Sequence, residues 1–313
     1  KTTEHNIRKA PFRNGNGDLV GEFADACRKY KLKMGFYVSP WDRNNPAYGT
    51  GEYLNIFRQQ LREVLSNYGS AFEVWFDGAN GGDGYYGGAR EVRKIDHTTY
   101  YDWINTWDIV RKLQPDACIF SDIGPDLRWV GNEKGFALPE TFGSCTPVPL
   151  EEGKEPAPGF IRSLDNTTGH PDGRYYIPPE CDVPLRPGWF YHAHEDNAQR
   201  SRKLLLKIYL NSVGNGGFLN LGLAPDKRGI LHENDVARLH EFKQDRDALF
   251  GNKVAGGKIR FESHTATLLF SKPEKFNLLE FREDLTQGEL ITDYTVEIAC
   301  NGIWEKLLRG KAI

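Results

Sequence analysis

The chain has 313 residues and a net charge of −3 with both signs interspersed, so it carries no basic face of the kind that draws nucleic acid or an anionic membrane. Its 39% hydrophobic and 12% aromatic content is that of a folded chain with one large core plus a small domain, which excludes disorder over most of its length. Cys27, Cys118, Cys145, Cys181 and Cys300 are odd in number and lack a CxxC pair, which argues against a disulfide framework or a zinc site, and no apolar run approaches the ~20 residues of a membrane span.

In chain order, the first two-thirds alternates amphipathic segments with short apolar runs that end in polar residues or glycine, the pattern of βα units. Residues 18–31 open on an Asp18 N-cap and place Leu19, Val20, Phe23, Ala26, Cys27 and Tyr30 at helical spacing; a strand is expected over 32–39. A second helix over 51–68 precedes a strand that ends at Asp77. A third helix over 98–113, stopped by Pro115, precedes a strand over 117–122. Residues 124–187 are rich in Pro and Gly and read as one long functional loop, interrupted by a strand-like 174–177. A helix over 196–213, a strand over 217–223 and a closing helix over 232–250 restore the rhythm. Period-two alternation then covers 258–262, 265–270, 276–281, 293–300 and 304–308, which predicts an antiparallel β domain.

The boundaries expected are 1–252 for a catalytic (β/α) barrel and 253–313 for a C-terminal antiparallel β-sandwich. Five strand-plus-helix units fall short of the eight of a closed (β/α)8 barrel. Irregular units in the long loop and missing early strands at the N-terminus together would account for the shortfall.

Two carboxylates stand out. Asp77 ends the apolar run Ala71-Phe72-Glu73-Val74-Trp75-Phe76, where parallel α/β enzymes place reactive groups, and Glu133 lies in the turn-rich Gly124-Pro125-Asp126-Leu127-Arg128-Trp129-Val130-Gly131-Asn132-Glu133. Paired acids on separate strand ends suggest glycoside hydrolysis, although an Asp in this position also caps loops. Glu180 and Glu73 are the rival acids. Trp75 shares a strand face with Asp77 and should line the pocket floor. Arg128 could offer its planar fork to a carboxylate or to sugar hydroxyls. The glycine-rich 81–88 is read as a flexible loop rather than a phosphate cradle, since no Lys-Ser/Thr follows. The histidines form no metal-ligand spacing, so neither a metal nor a cofactor is expected.

Five ordered motifs, Phe36-Tyr37-Val38-Ser39-Pro40-Trp41-Asp42-Arg43, Val74-Trp75-Phe76-Asp77-Gly78-Ala79, the 124–133 segment, Arg186-Pro187-Gly188-Trp189-Phe190-Tyr191-His192 and Pro225-Asp226-Lys227-Arg228-Gly229, make the chain resemble the α-L-fucosidases of glycoside hydrolase family 29. The 124–133 form is similar to the subgroup that favours α-1,3 and α-1,4 fucosyl branches. The resemblance implies a retaining exo-α-L-fucosidase acting on fucosylated oligosaccharides or glycoconjugates, with Asp77 as nucleophile and Glu133 as acid/base. It places Tyr37, Trp41, Asp42, Trp75, Arg128, Trp129, Trp189 and His192 around the substrate. The family's His-His-Asp-Gly segment ahead of the first helix is absent, which is expected to reflect a fragment. A retaining glycosidase for another sugar, and a carbohydrate-binding protein on a decayed hydrolase scaffold, remain the competing readings. A secreted, periplasmic or lysosome-like location is expected from the substrate class.

Overall fold

The computed structural model describes residues 3–4, 6–78, 81–96, 98–300 and 302–311. Its elements run α1 (Leu19–Tyr30), β1 (Met34–Tyr37), α2 (Gly51–Asn67), β2 (Ala71–Trp75), β3 (Gly84–Tyr86), β4 (Glu91–Arg93), α3 (Trp103–Leu113), β5 (Cys118–Ser121), β6 (Leu127–Trp129), β7 (Ser144–Cys145), α4 (Ser163–Thr168), β8 (Tyr175–Tyr176), β9 (Pro179–Pro184), α5 (Arg202–Ser212), β10 (Phe218–Gly222), α6 (Glu233–Gly251), β11 (Lys258–Glu262), β12 (Thr265–Leu269), β13 (Tyr294–Cys300) and β14 (Ile303–Gly310).

Six strands form one sheet in the order β1-β2-β5-β6-β9-β10, all neighbours parallel. β2 and β9 are three strand spacings apart, about 14 Å across a flat sheet. Even so, Trp75 Nε1 on β2 donates to Glu180 Oε1 on β9 at 2.8 Å. The sheet therefore curls into an open half-barrel, and its concave face gathers the side chains of distant strands.

Helices cover the convex face. α2 buries Tyr53, Phe57, Leu61 and Leu65 at helical spacing, in one core with Val74 and Ile119 of the strands and Ile109 and Val110 of α3. Asp18 accepts from Gly21 N and Ser201 from Leu204 N, capping α1 and α5 as short polar side chains do. A buried tyrosine cluster fixes the loop after β1: Tyr53 and Tyr101 both donate to Pro40 O, at 2.8 and 2.7 Å.

Four strands of the main sheet fall where the apolar runs place them, but the irregular 124–187 segment holds two more strands of that sheet that sequence reading missed, β6 and β9. The expected strand at 174–177 is a two-residue strand that pairs with Ser144–Cys145 outside the main sheet. The third helix begins at Trp103, after Asp102 in the left-handed region, rather than at 98. Beyond α6, the expected β-sandwich takes the form of two separate hairpins, β11–β12 and β13–β14, and 276–281 forms no strand. Cys27, Cys145 and Cys181 are buried thiols and Cys118 is half-buried. No helix among the described residues is long and apolar enough to cross a membrane.

Candidate active site

Asp77 lies two residues past the end of β2, at the C-terminal edge of the sheet. Tyr37, in register with Trp75 on the neighbouring strand, donates its hydroxyl to Asp77 Oδ2 at 2.7 Å. The Tyr37 ring stands edge-on to Trp75, centroids 5.3 Å apart at 77°, and Trp75 stacks flat on Phe120 at 4.2 Å. Burial, then the hydrogen bond to Asp77 and its charge, push the Tyr37 phenol up, so it remains a donor.

A second carboxylate closes in beside Asp77. Asp122, the residue after β5, is buried and accepts from Gly159 N at 2.8 Å. Burial raises its carboxyl to about 6, with Asp77's charge adding and the Gly159 N–H opposing. Gly78 makes this approach possible: a Cβ there would overlap the Asp122 carboxylate.

Across the concave face, Glu180 and Asp182 project from β9 two residues apart, on the same side of the strand. Trp129 Nε1 at the end of β6 donates to Asp182 Oδ1 at 2.8 Å. Burial lifts Asp182 to about 7, against that hydrogen bond, and the charges of Glu133 and Glu180 add to the rise. Glu133 thus lies within electrostatic reach of Asp182, on an exposed loop that turns at Gly131. Glu180 Oε1 takes a second hydrogen bond from Asn220 Nδ2 of β10 at 2.9 Å.

The structure brings Tyr37, Trp75 and Asp77 into direct contact, with Trp129 and Glu133 linked through Asp182. Trp41, in the loop after β1, keeps its indole N–H buried without a partner among the described residues, and Arg43 covers its ring at 5.5 Å. Arg128 is a correction. Its fork faces away from the carboxylates and is fully buried, donating to the backbone oxygens of Asn166, Gly143, Ile177 and Phe142. Asp42 caps its own turn, accepting from Asn44 N and Asn45 N at 3.1 and 3.2 Å. Trp189 packs over the end of β10, where a Cβ on Gly222 would come 2.7 Å from its ring, and His192 is exposed beside His194. In the same motif Arg186 is buried against Asp235 and Asp196, at 2.9 and 3.1 Å, with Tyr191 over its guanidinium; this anchors the loop that carries Trp189.

Asp122, Asp182 and Asn220 escaped sequence reading. Strand alternation from Glu180 to Asp182, once β9 is recognised, is the signal that would have found two of the acids together. Among the described residues no group of three or more His, Cys, Asp or Glu side chains is placed to hold a metal ion. The arrangement can therefore hold one carboxylate by a phenol at the rim of an apolar floor and set further acids opposite it, as displacement at an acetal carbon requires.

Comparison with known proteins points the same way. The family model for alpha-L-fucosidase matches residues 1–144. Alpha-L-fucosidase 1 of Arabidopsis thaliana is 32% identical, over 99% of this chain and 64% of that protein, so the chain spans less than two-thirds of its length. A glycoside hydrolase 29 family member from an unknown rumen bacterium is 40% identical with a TM-score of 0.86, over 97% of this chain and 54% of that one. SpGH29 is 30% identical with a TM-score of 0.84, over 99% of this chain and 72% of that one. Likeness in sequence and in fold, sustained through both the half-barrel and the hairpins beyond it, makes this chain a member of the α-L-fucosidase family, glycoside hydrolase family 29.

Proposed function

We propose that the chain forms the catalytic part of a retaining exo-α-L-fucosidase, on a (β/α)8-type barrel of which the half-barrel is a portion. Asp77 attacks the anomeric carbon of a terminal α-linked fucose while Glu133 protonates the glycosidic oxygen, so the aglycone leaves as an alcohol and the sugar stays as an ester on Asp77. Water then gives its proton to Glu133 and attacks the same carbon, releasing fucose with its configuration retained. The observation that carries this reading is the Tyr37–Asp77 hydrogen bond at the strand end, over the Trp75 floor. A stiff, short carboxylate held by a phenol at a sheet edge is built for attack rather than for capping.

Trp41 offers a buried indole N–H to a sugar hydroxyl, and Trp129 walls the side nearest Glu133. The preferred linkages are α-1,3 and α-1,4, which branched Lewis-type oligosaccharides tested against α-1,2-linked ones would separate. Glycans of this kind are met in secreted, periplasmic or lysosome-like settings, which are the locations that fit the activity.

The test is hydrolysis of an aryl α-L-fucoside beside a panel of other aryl glycosides, with the released anomer read by NMR. Wild type releases the α anomer of fucose first, Asp77→Gly loses at least about 10³-fold in turnover, and azide rescues Glu133→Ala with an activated substrate. Release of the β anomer first, or an Asp77→Gly variant as active as wild type, would sink the assignment. Binding of fucose without turnover by wild type would favour the decayed-scaffold reading, and turnover of a different aryl glycoside would reassign the sugar.

A further inference from the structure

Among the carboxyls of the concave face that the proposed reaction leaves unused are Glu73 on β2 and Glu180 on β9. Glu180 Oε1 accepts from Trp75 Nε1 at 2.8 Å and from Asn220 Nδ2 at 2.9 Å, tying β2, β9 and β10 together through one oxygen. Trp75 is also pinned flat on Phe120 and meets the edge of Tyr37, whose hydroxyl holds Asp77. An indole fixed at its nitrogen and on one face gives the Tyr37 phenol a single place to stand.

We propose that Glu180 is a positioning residue for the Asp77 carboxylate, acting through Trp75 and Tyr37. This rests on the reading of Asp77 as nucleophile. Glu73 supports Glu180 from below. Its Oε1 is buried without a partner among the described residues, and burial, then the charge of Glu180 and a hydrogen bond to it, raise the Glu73 carboxyl to about 9. Glu73 therefore keeps its proton at neutral pH and leaves Glu180 as the acceptor for both Trp75 and Asn220. Among the described residues, the other titratable groups in electrostatic reach of this pair are Asp182 and Cys181 on β9, both felt by Glu180, and Cys118, opposite Glu73 on β5, which Asp126 and Arg111 also reach. Asn220 on β10 brings no charge. Ionising Glu73 sets two negative charges against one another under the Trp75 indole, which loosens the tie.

The experiment follows the Trp75 indole N–H and the Asp77 carboxyl carbon by NMR, and kcat and KM on an aryl α-L-fucoside, in wild type, Glu180→Leu, Glu180→Gln and Glu73→Gln. The indole resonance is expected to titrate with a midpoint near 9 in wild type and to lose that step in Glu73→Gln. Glu180→Leu shifts the Asp77 resonance and lowers kcat about 10²-fold with little change in KM, the cost of a misplaced reacting group. Glu180→Gln, which keeps an acceptor oxygen, recovers at least tenfold of that loss and serves as the variant if Glu180→Leu does not fold. An Asp77 resonance unmoved by both Glu180 substitutions, or a Glu180→Leu variant with the kcat of wild type, overturns the positioning role. A wild type without turnover overturns the nucleophile reading instead, and the Asp77 resonance then decides the Glu180 link by itself.

Discussion

Tyr37 and Asp77 make one unit, and its strength can be stated. A hydroxyl donated to a carboxylate contributes about 1.5–3 kcal/mol, so Tyr37→Phe should lower kcat/KM on an aryl α-L-fucoside by roughly 10- to 150-fold while leaving the fold intact. A variant within threefold of wild type would show that Asp77 is held by something else. Gly78 is equally constrained for a steric reason. An alanine there overlaps Asp122, whose carboxylate cannot retreat without giving up Gly159 N, so Gly78→Ala should cost about 1–3 kcal/mol in denaturation and disturb Asp77 at the same time. An unchanged denaturation midpoint would refute this. Asp77 and Tyr37 were legible in the sequence because each ends an apolar run. Asp122 closes the expected strand 117–122 in the same way, but its role was not legible, because its partner Gly159 lies 37 positions away on a loop that no periodicity announces.

Among the elements, β6 and β9 hold the site together and were the ones sequence reading missed. β6 has only three residues, too few to show alternation. β9 alternates Glu180 and Asp182 with Cys181 and Val183 but is buried along its whole length, acids included, and the Pro at each end of this short run made it read as loop. Arg128 on β6 was legible as a residue but not in its role, since a fork suited to a carboxylate suits four carbonyls as well. Two of those carbonyls, of Phe142 and Gly143, belong to a loop gripped from the other side by Glu289, which accepts from Gly143 N at 2.6 Å and Ser144 N at 2.8 Å. The strand that leads to Trp129 and Glu133 is thereby tied to the segment between α6 and β13. Glu289→Ala strands two N–H groups, and the expected loss is about 1–3 kcal/mol in chemical denaturation with faster proteolysis in 141–146. Equal midpoints and equal cleavage rates would dismiss the tie.

For the molecule as a whole, the curled sheet concentrates carboxyls on one face and so sets how stability depends on pH. Asp122, Asp182 and Glu73 are raised to about 6, 7 and 9, chiefly by burial. Each holds its proton more tightly when folded than when unfolded. The native state therefore binds more protons between the ordinary carboxylate range, near 4, and those raised values, and stability must fall as pH climbs through that window, by up to about 1.4 kcal/mol per pH unit for each group still titrating. The ion-paired carboxylates Asp226, Asp245 and Asp247 work in the opposite sense, held low by Arg228, Arg202 and Lys243. Their contribution is complete above about pH 4 and is lost only below it, so they cannot mask the slope at higher pH. Denaturant midpoints should accordingly decline from pH 5 to pH 9. Glu73→Gln removes the longest part of that slope, because its amide never ionises, and should be more stable than wild type at pH 8 while matching it near pH 4.5. A wild type whose midpoint stays level or rises from pH 5 to 8, or a Glu73→Gln protein weaker than wild type at pH 8, would mean that the Glu73 carboxyl is not held protonated under the site.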